Sequence, residues 1–103
     1  MSTVKTYLLD SNYLGFFYFT EDAVKLAKEC LSNERYNITN IMVDFHVEGE
    51  KAAEEMFDLT NNPSRQAERS VRYGRGRSIS VGDIVEVDKV LYVCRPRGWE
   101  KVV

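Results

Sequence analysis

Apolar and polar positions recur with a clear period along most of this chain, and the periods predict its elements. Val4-Lys5-Thr6-Tyr7-Leu8-Leu9 is rich in strand-forming types and predicts a strand over 3–9. Asp10-Ser11-Asn12 is a turn cluster. Tyr13 to Phe19 (YLGFFYF) reads as a second strand with a bulge at Gly15, or as an irregular segment feeding aromatics into the core. Thr20 then has the character of a helix N-cap, with Glu21 and Asp22 in the first turn where the helix dipole favours negative charge. Ala23, Val24, Ala27, Cys30 and Leu31 form one apolar stripe, and the helix is expected to end around Ser32-Asn33.

Asn40 to Val47 alternates strictly. Ile41, Val43, Phe45 and Val47 face one way, and Met42, Asp44 and His46 the other. Glu50 to Leu59 is a second amphipathic helix, with Ala52, Ala53, Met56, Phe57 and Thr60 on one face, and Asn61-Asn62-Pro63 stops it. Ser64 to Arg77 (SRQAERSVRYGRGR) is the longest irregular candidate, although its start has the makings of a short helix. Ile79 to Val87 predicts a strand interrupted at Gly82-Asp83. Asp88-Lys89 is a two-residue hairpin turn, Val90 to Cys94 its partner strand, and Trp99 to Val103 a last short strand. The expectation is a single α+β domain over 1–103. It has a mostly antiparallel sheet of about five strands, near 3–9, 40–47, 83–88, 90–95 and 99–103, with two helices packed on one face.

A chain of 103 residues supports one modest core. No apolar run approaches the length of a membrane span, and the first residues lack the basic start and apolar centre of a signal peptide, so a cytoplasmic protein with no membrane partner is expected. Cys30 and Cys94 lie far apart and read as small core hydrophobes, with no zinc spacing. His46 has no ligand or acid–base partner at motif spacing. Asp44, Glu86 and Asp88 read as exposed strand carboxylates. Enzymatic chemistry would need a defined pocket shared by Asp44, His46 and Arg77. No metal or cofactor is implied.

Charge is where partners enter. Residues 1–61 carry 5 Lys/Arg against 11 Asp/Glu, a balance of −6, and residues 62–103 carry 9 against 5, a balance of +4. Arg65, Arg69, Arg72, Arg75 and Arg77, with Tyr73 among them, are followed by Arg95 and Arg97 on the hairpin. These eight residues are the candidate partner-binding set. Arginine with an aromatic suits a nucleic-acid backbone and bases, and equally an acidic protein surface. The plain reading of the same residues is a solvated loop partly neutralised by Glu68 and the acidic helix. A nucleic-acid domain is usually basic overall, whereas the net charge here is −2. Tyr13 and Tyr18 are further candidates for surface anchors.

Arg77-Ser78-Ile79-Ser80-Val81-Gly82-Asp83 reads as a structural staple. Ile79 and Val81 should be buried, Gly82 should sit where a side chain is poorly tolerated, Asp83 should accept a backbone N–H, and Ser78 or Ser80 should bond locally to main chain. Phe57-Asp58-Leu59-Thr60-Asn61, a loop, Gly76-Arg77-Ser78-Ile79-Ser80-Val81-Gly82-Asp83-Ile84-Val85, Tyr92 and Gly98-Trp99 form an ordered set. Residues 53–103 thereby resemble the YodL-like family of small bacterial, bacteriophage and mobile-element proteins. That resemblance implies a shared fold and a phage or mobile-element origin, and brings no catalytic residue with it. Together these features lead us to expect a non-enzymatic accessory protein that binds a host protein or complex, including inhibitors of bacterial defence systems such as anti-CRISPR proteins. The alternative is nucleic-acid binding through residues 65–77. The oligomeric state is left open.

Overall fold

The computed structural model describes Met1–Val103 as a five-stranded sheet with helices on both faces. In chain order the elements are β1 (Ser2–Leu9), a 3-10 turn (Ser11–Tyr13), α1 (Phe16–Phe19), α2 (Ala23–Ser32), β2 (Tyr36–Phe45) and α3 (Glu50–Asn61). A second 3-10 turn (Pro63–Arg65) leads into α4 (Gln66–Arg72), followed by β3 (Ile84–Val87), β4 (Val90–Cys94) and β5 (Trp99–Lys101). The strand order is β2-β1-β3-β4-β5, and every neighbouring pair is antiparallel. The α+β class and the five antiparallel strands are as the patterning predicts.

The placement of the helices differs from the expectation of one covered face. α3 lies over Val4, Val43, Phe45, Val85, Val87, Tyr92 and Cys94 through Ala52, Ala53, Met56 and Leu59. α2 lies over Leu9, Tyr36, Ile84 and Val93 through Ala23, Ala27 and Cys30. The reason lies in β3, the central strand. Ile84 and Val85 are adjacent, point to opposite faces and are both wholly buried. A strand that is apolar on both faces needs a cover on each. α2 packs towards β4 and β5, and on β1–β2 it covers only the Leu9–Tyr36 end, leaving Ile38 and Met42 exposed on the same face.

Local chemistry sets most boundaries. α2 begins at Ala23 because Asp22, rather than Thr20, is its N-cap: the carboxylate accepts from Lys25 N at 3.0 Å, while Thr20 Oγ1 accepts from Asp22 N. The helix ends with Arg35 N donating to Cys30 O and Glu34 N to Leu31 O. This pair of bonds places Glu34 in the left-handed region at φ 57°. β2 starts four residues before the expected 40. Its pairing with β1 shifts between Lys5 and Tyr7, and Thr6 and Thr39 hydroxyls meet at 2.6 Å to fill the irregularity. β2 is an edge strand, and a bulge at mid-length blunts its outer ladder against further pairing. The hairpin turn Asp88-Lys89 has φ 47° and 73°, so both residues are left-handed, as a two-residue primed turn requires.

Tyr13–Phe19 is not a strand. It is a 3-10 turn and a single helical turn, with only Phe17 buried. Ser64–Arg77 is mostly helical: Pro63–Arg65 and α4 account for its first nine residues. No helix is long and apolar enough to cross a membrane.

Candidate functional site

The arginine-rich segment folds back on the protein. Arg65 donates to Glu55 at 3.0 Å and Asp58 at 2.9 Å on α3, and through Nε and Nη2 to Glu68 at 2.9 and 3.0 Å. Arg65, and after it Arg72, hold the Glu68 carboxyl down at about 2. These same bonds push the Arg65 guanidinium above its usual range, the Glu68 pair contributing most. Arg69 donates to the Gly76 carbonyl at 2.6 Å and lies over the Tyr73 ring. Arg72 donates to the Asp44 carbonyl and covers the Phe45 ring at 4.8 Å. Tyr73 is 3% exposed, and its hydroxyl donates to Arg77 O at 2.6 Å. Arg95 pairs with Glu100 and donates to Phe17 O at 3.3 Å. Of the eight candidate residues, Arg75 and Arg97 stand exposed outside these bonds. The acidic and basic halves of the sequence thus interleave in space where Arg65 meets Glu55 and Asp58 of α3.

Arg77 belongs to a second arrangement, the centre of the 77–83 motif. Asp83 is wholly buried, and each carboxylate oxygen accepts two bonds. Oδ1 takes Leu9 N at 2.8 Å and Arg77 Nη2 at 2.8 Å. Oδ2 takes Ser80 N at 2.7 Å and Arg77 Nη1 at 2.7 Å. Arg77 Nη2 also donates to Leu9 O at 2.9 Å. The fork of the guanidinium and both carboxylate oxygens are matched, which is the strong form of this pairing. It fastens the start of β3 to the end of β1. Asp83 N donates to Ser80 O, closing a tight turn with Gly82 at φ 98°. Tyr36 Oη donates to Gly82 O at 2.6 Å. A Cβ on Gly82 would stand 2.8 Å from Phe17 Cδ2. Ile79 and Val81 are buried. The serine bond is long-range instead of local: Ser78 Oγ donates to Thr60 O at 2.7 Å, where Thr60 Oγ1 accepts from Ile79 N and tacks the end of α3 to the motif. The motif is therefore a fastening built from saturated bonds.

Above this fastening sits a surface of which the sequence reading named only Tyr18. Phe17 points inward at 0% exposure, and its neighbours point out: Phe16 is 60% exposed, Tyr18 57% and Phe19 89%. The turn is braced from below by Gly82, by Arg95 on Phe17 O, and by Tyr13, whose ring lies 6.2 Å from that of Phe16. Tyr13 is half-buried under Arg35. Of the two expected tyrosine anchors, Tyr18 is the exposed one.

The remaining candidates do not share one pocket. Asp44 and His46 share an open cleft of about 420 Å3 with Phe45, Val47, Glu55, Arg65 and Arg72. Arg77 is not in it, and Asp44 Oδ1 accepts from Thr3 Oγ1 at 2.6 Å. Asp88 accepts from Thr3 N, so Asp44 and Asp88 bond different groups of the same β1 residue, while Glu86 accepts from Tyr7 Oη. Cys30 and Cys94 are buried on opposite sides of the sheet, and burial pushes the Cys94 thiol up to about 12.

The fold and these surfaces define a small α+β domain with an aromatic display turn. No protein-family model, no curated protein and no solved structure matches the chain.

Proposed function

We propose that this protein is a non-enzymatic binding protein that docks on another protein, with the turn Phe16–Phe19 as its contact surface. The observation that carries this is the exposure of Phe16, Tyr18 and Phe19 on one braced turn. Large aromatics are enriched in the energetic centres of protein interfaces. Burying one such side chain contributes about 1.5–3 kcal/mol, so three together supply on the order of 5 kcal/mol before association costs are met. A turn already fixed from behind loses little freedom on binding.

The wider assignment, an accessory protein of a bacteriophage or mobile element acting on a host protein such as a component of a defence system, is supported by the resemblance of residues 53–103 to the YodL-like family. Nucleic-acid binding through residues 65–77 draws less support. Strand-tracking surfaces need free cations beside their stacking rings. Here Arg65, Arg69, Arg72 and Arg77 are held by the protein's own carboxylates and carbonyls.

The test is affinity capture from a bacterial lysate, followed by reconstitution of the complex with the purified captured protein. A stoichiometric complex that persists at high salt and dissolves on Phe16→Ser/Phe19→Ser is the expected result. Binding confined to single- or double-stranded nucleic acid, falling steeply with salt, would replace this reading with the alternative.

A further inference from the structure

The aromatic turn has a definite electrostatic setting. Residues 10–22 contain three carboxylates, Asp10, Glu21 and Asp22, and no lysine or arginine. All three are exposed. Asp10 and Asp22 accept backbone N–H bonds, from Asn12 and Lys25, and so are held in place as fixed negative charges at the two ends of the segment. Glu34 adds a fourth exposed carboxylate beside Arg35. Arg35 is exposed on the side of Asp10 and Glu34, 5.2 Å from the centre of the Tyr13 ring, Lys25 is exposed on the first turn of α2, and Arg95 is half-buried and reaches Phe17 O and Glu100. At its Phe19 end the apolar display is edged by the carboxylates of Glu21 and Asp22, which restricts its complements. A second copy would set like charges against each other, an anionic membrane would repel that edge, and a nucleic-acid backbone would do the same.

Resting on the reading of this turn as a protein-binding surface, we infer that its partner is a protein presenting an apolar cleft rimmed by lysine and arginine. Phe19, the most exposed side chain, enters the cleft, with Phe16 and Tyr18 against its walls. Glu21 and Asp22 meet the cationic rim. The rim pairs govern association rate and orientation, and the aromatics govern residence time, since exposed charge steers encounter while desolvated apolar contact sets dissociation.

The test places the photo-crosslinking residue p-benzoylphenylalanine at Phe19 and, in separate samples of the full chain, at Val71 and Arg75, which are exposed away from the turn. Each is irradiated in a bacterial lysate and the adducts are mapped. A protein adduct is expected at position 19, on an apolar residue flanked by lysines or arginines. With that protein purified, Glu21→Lys should lower the association rate by about tenfold at low salt and leave the dissociation rate nearly unchanged. Faster association of Glu21→Lys overturns the cationic rim. So does an adduct at 19 formed with a second copy of this chain, with lipid or with nucleic acid. Protein adducts at 71 or 75 but not at 19 would overturn the inference and leave protein binding itself standing. An absence of protein adducts at all three positions would bring down both.

Discussion

Removing the Asp83 carboxylate should be among the most damaging single changes in this protein. In Asp83→Ala, Leu9 N and Ser80 N lose an acceptor, and the Arg77 guanidinium loses both of its charged bonds. An orphaned buried N–H costs about 1–3 kcal/mol, and breaking a buried pair from one side costs about 3–5 kcal/mol. Arg77 is one-third exposed, at 34%, so water recovers part of its loss. The expected cost is therefore about 3–4 kcal/mol, the low end of the one-sided range. In a domain of this size each kcal/mol lowers Tm by about 4–8 °C, so a fall on the order of 15–30 °C follows. Urea unfolding followed by the fluorescence of Trp99, the single tryptophan, reads the change directly. Arg77→Ala should cost somewhat less, and Arg77→Ala/Asp83→Ala should cost well below the sum of the two, because each single change already destroys the pair. A loss under about 1 kcal/mol for Asp83→Ala, or strict additivity in the cycle, would refute the fastening role.

Other consequences are smaller. Glu34→Gly and Lys89→Gly should each raise stability by about 1 kcal/mol, measured by the same urea titration, since both residues occupy left-handed backbone that glycine adopts freely. Glu68 is depressed to about 2 by Arg65 and then Arg72, so its contribution is present above its unfolded value of about 4.5 and lost as pH falls towards about 2. Glu68→Gln should accordingly be less stable than wild type at neutral pH, with the gap closing across that window in acid titrations. Gly82→Ala should displace Phe17 and loosen the turn above it, appearing as faster amide hydrogen exchange over residues 16–20 with exchange in β4 nearly unchanged.

Much of the scaffold was legible because it rests on local pattern. Alternation in Ile41, Val43 and Phe45 and the Gly-Asp turn of the 77–83 motif each carry their own short-range cause. What escaped rests on long-range geometry or on competition for space. The helices on opposite faces were foreshadowed by the adjacent apolar pair Ile84-Val85, which strict one-sided alternation forbids. The exposure of Phe16 and Phe19 was hidden because YLGFFYF resembles buried strand. Its signal was the i, i+3 spacing of those two residues, with Phe17 between them taking the single inward position the turn offers. Neutralisation by Glu68 and the acidic helix was among the readings of the arginine-rich segment, but the arginine that meets the acids of α3 was not legible, because Glu55 and Asp58 reach Arg65 only after the Asn61-Asn62-Pro63 reversal. One part was visible in the chain: Arg65, Glu68 and Arg72 are spaced by three and four, the helical spacing of ion pairs.

On the proposed function, the protein meets its partner through the aromatic turn and not through its arginines. Quantitative capture from one bacterial lysate with wild type, Phe16→Ser/Phe19→Ser and Arg75→Ala/Arg97→Ala compares the two surfaces under identical conditions, with the folded state of each variant checked by urea unfolding. The arginine variant should retain the wild-type protein partner, and the aromatic variant should lose it while remaining folded. Loss of that partner from the arginine variant, with full retention by the aromatic variant, would contradict the proposed function.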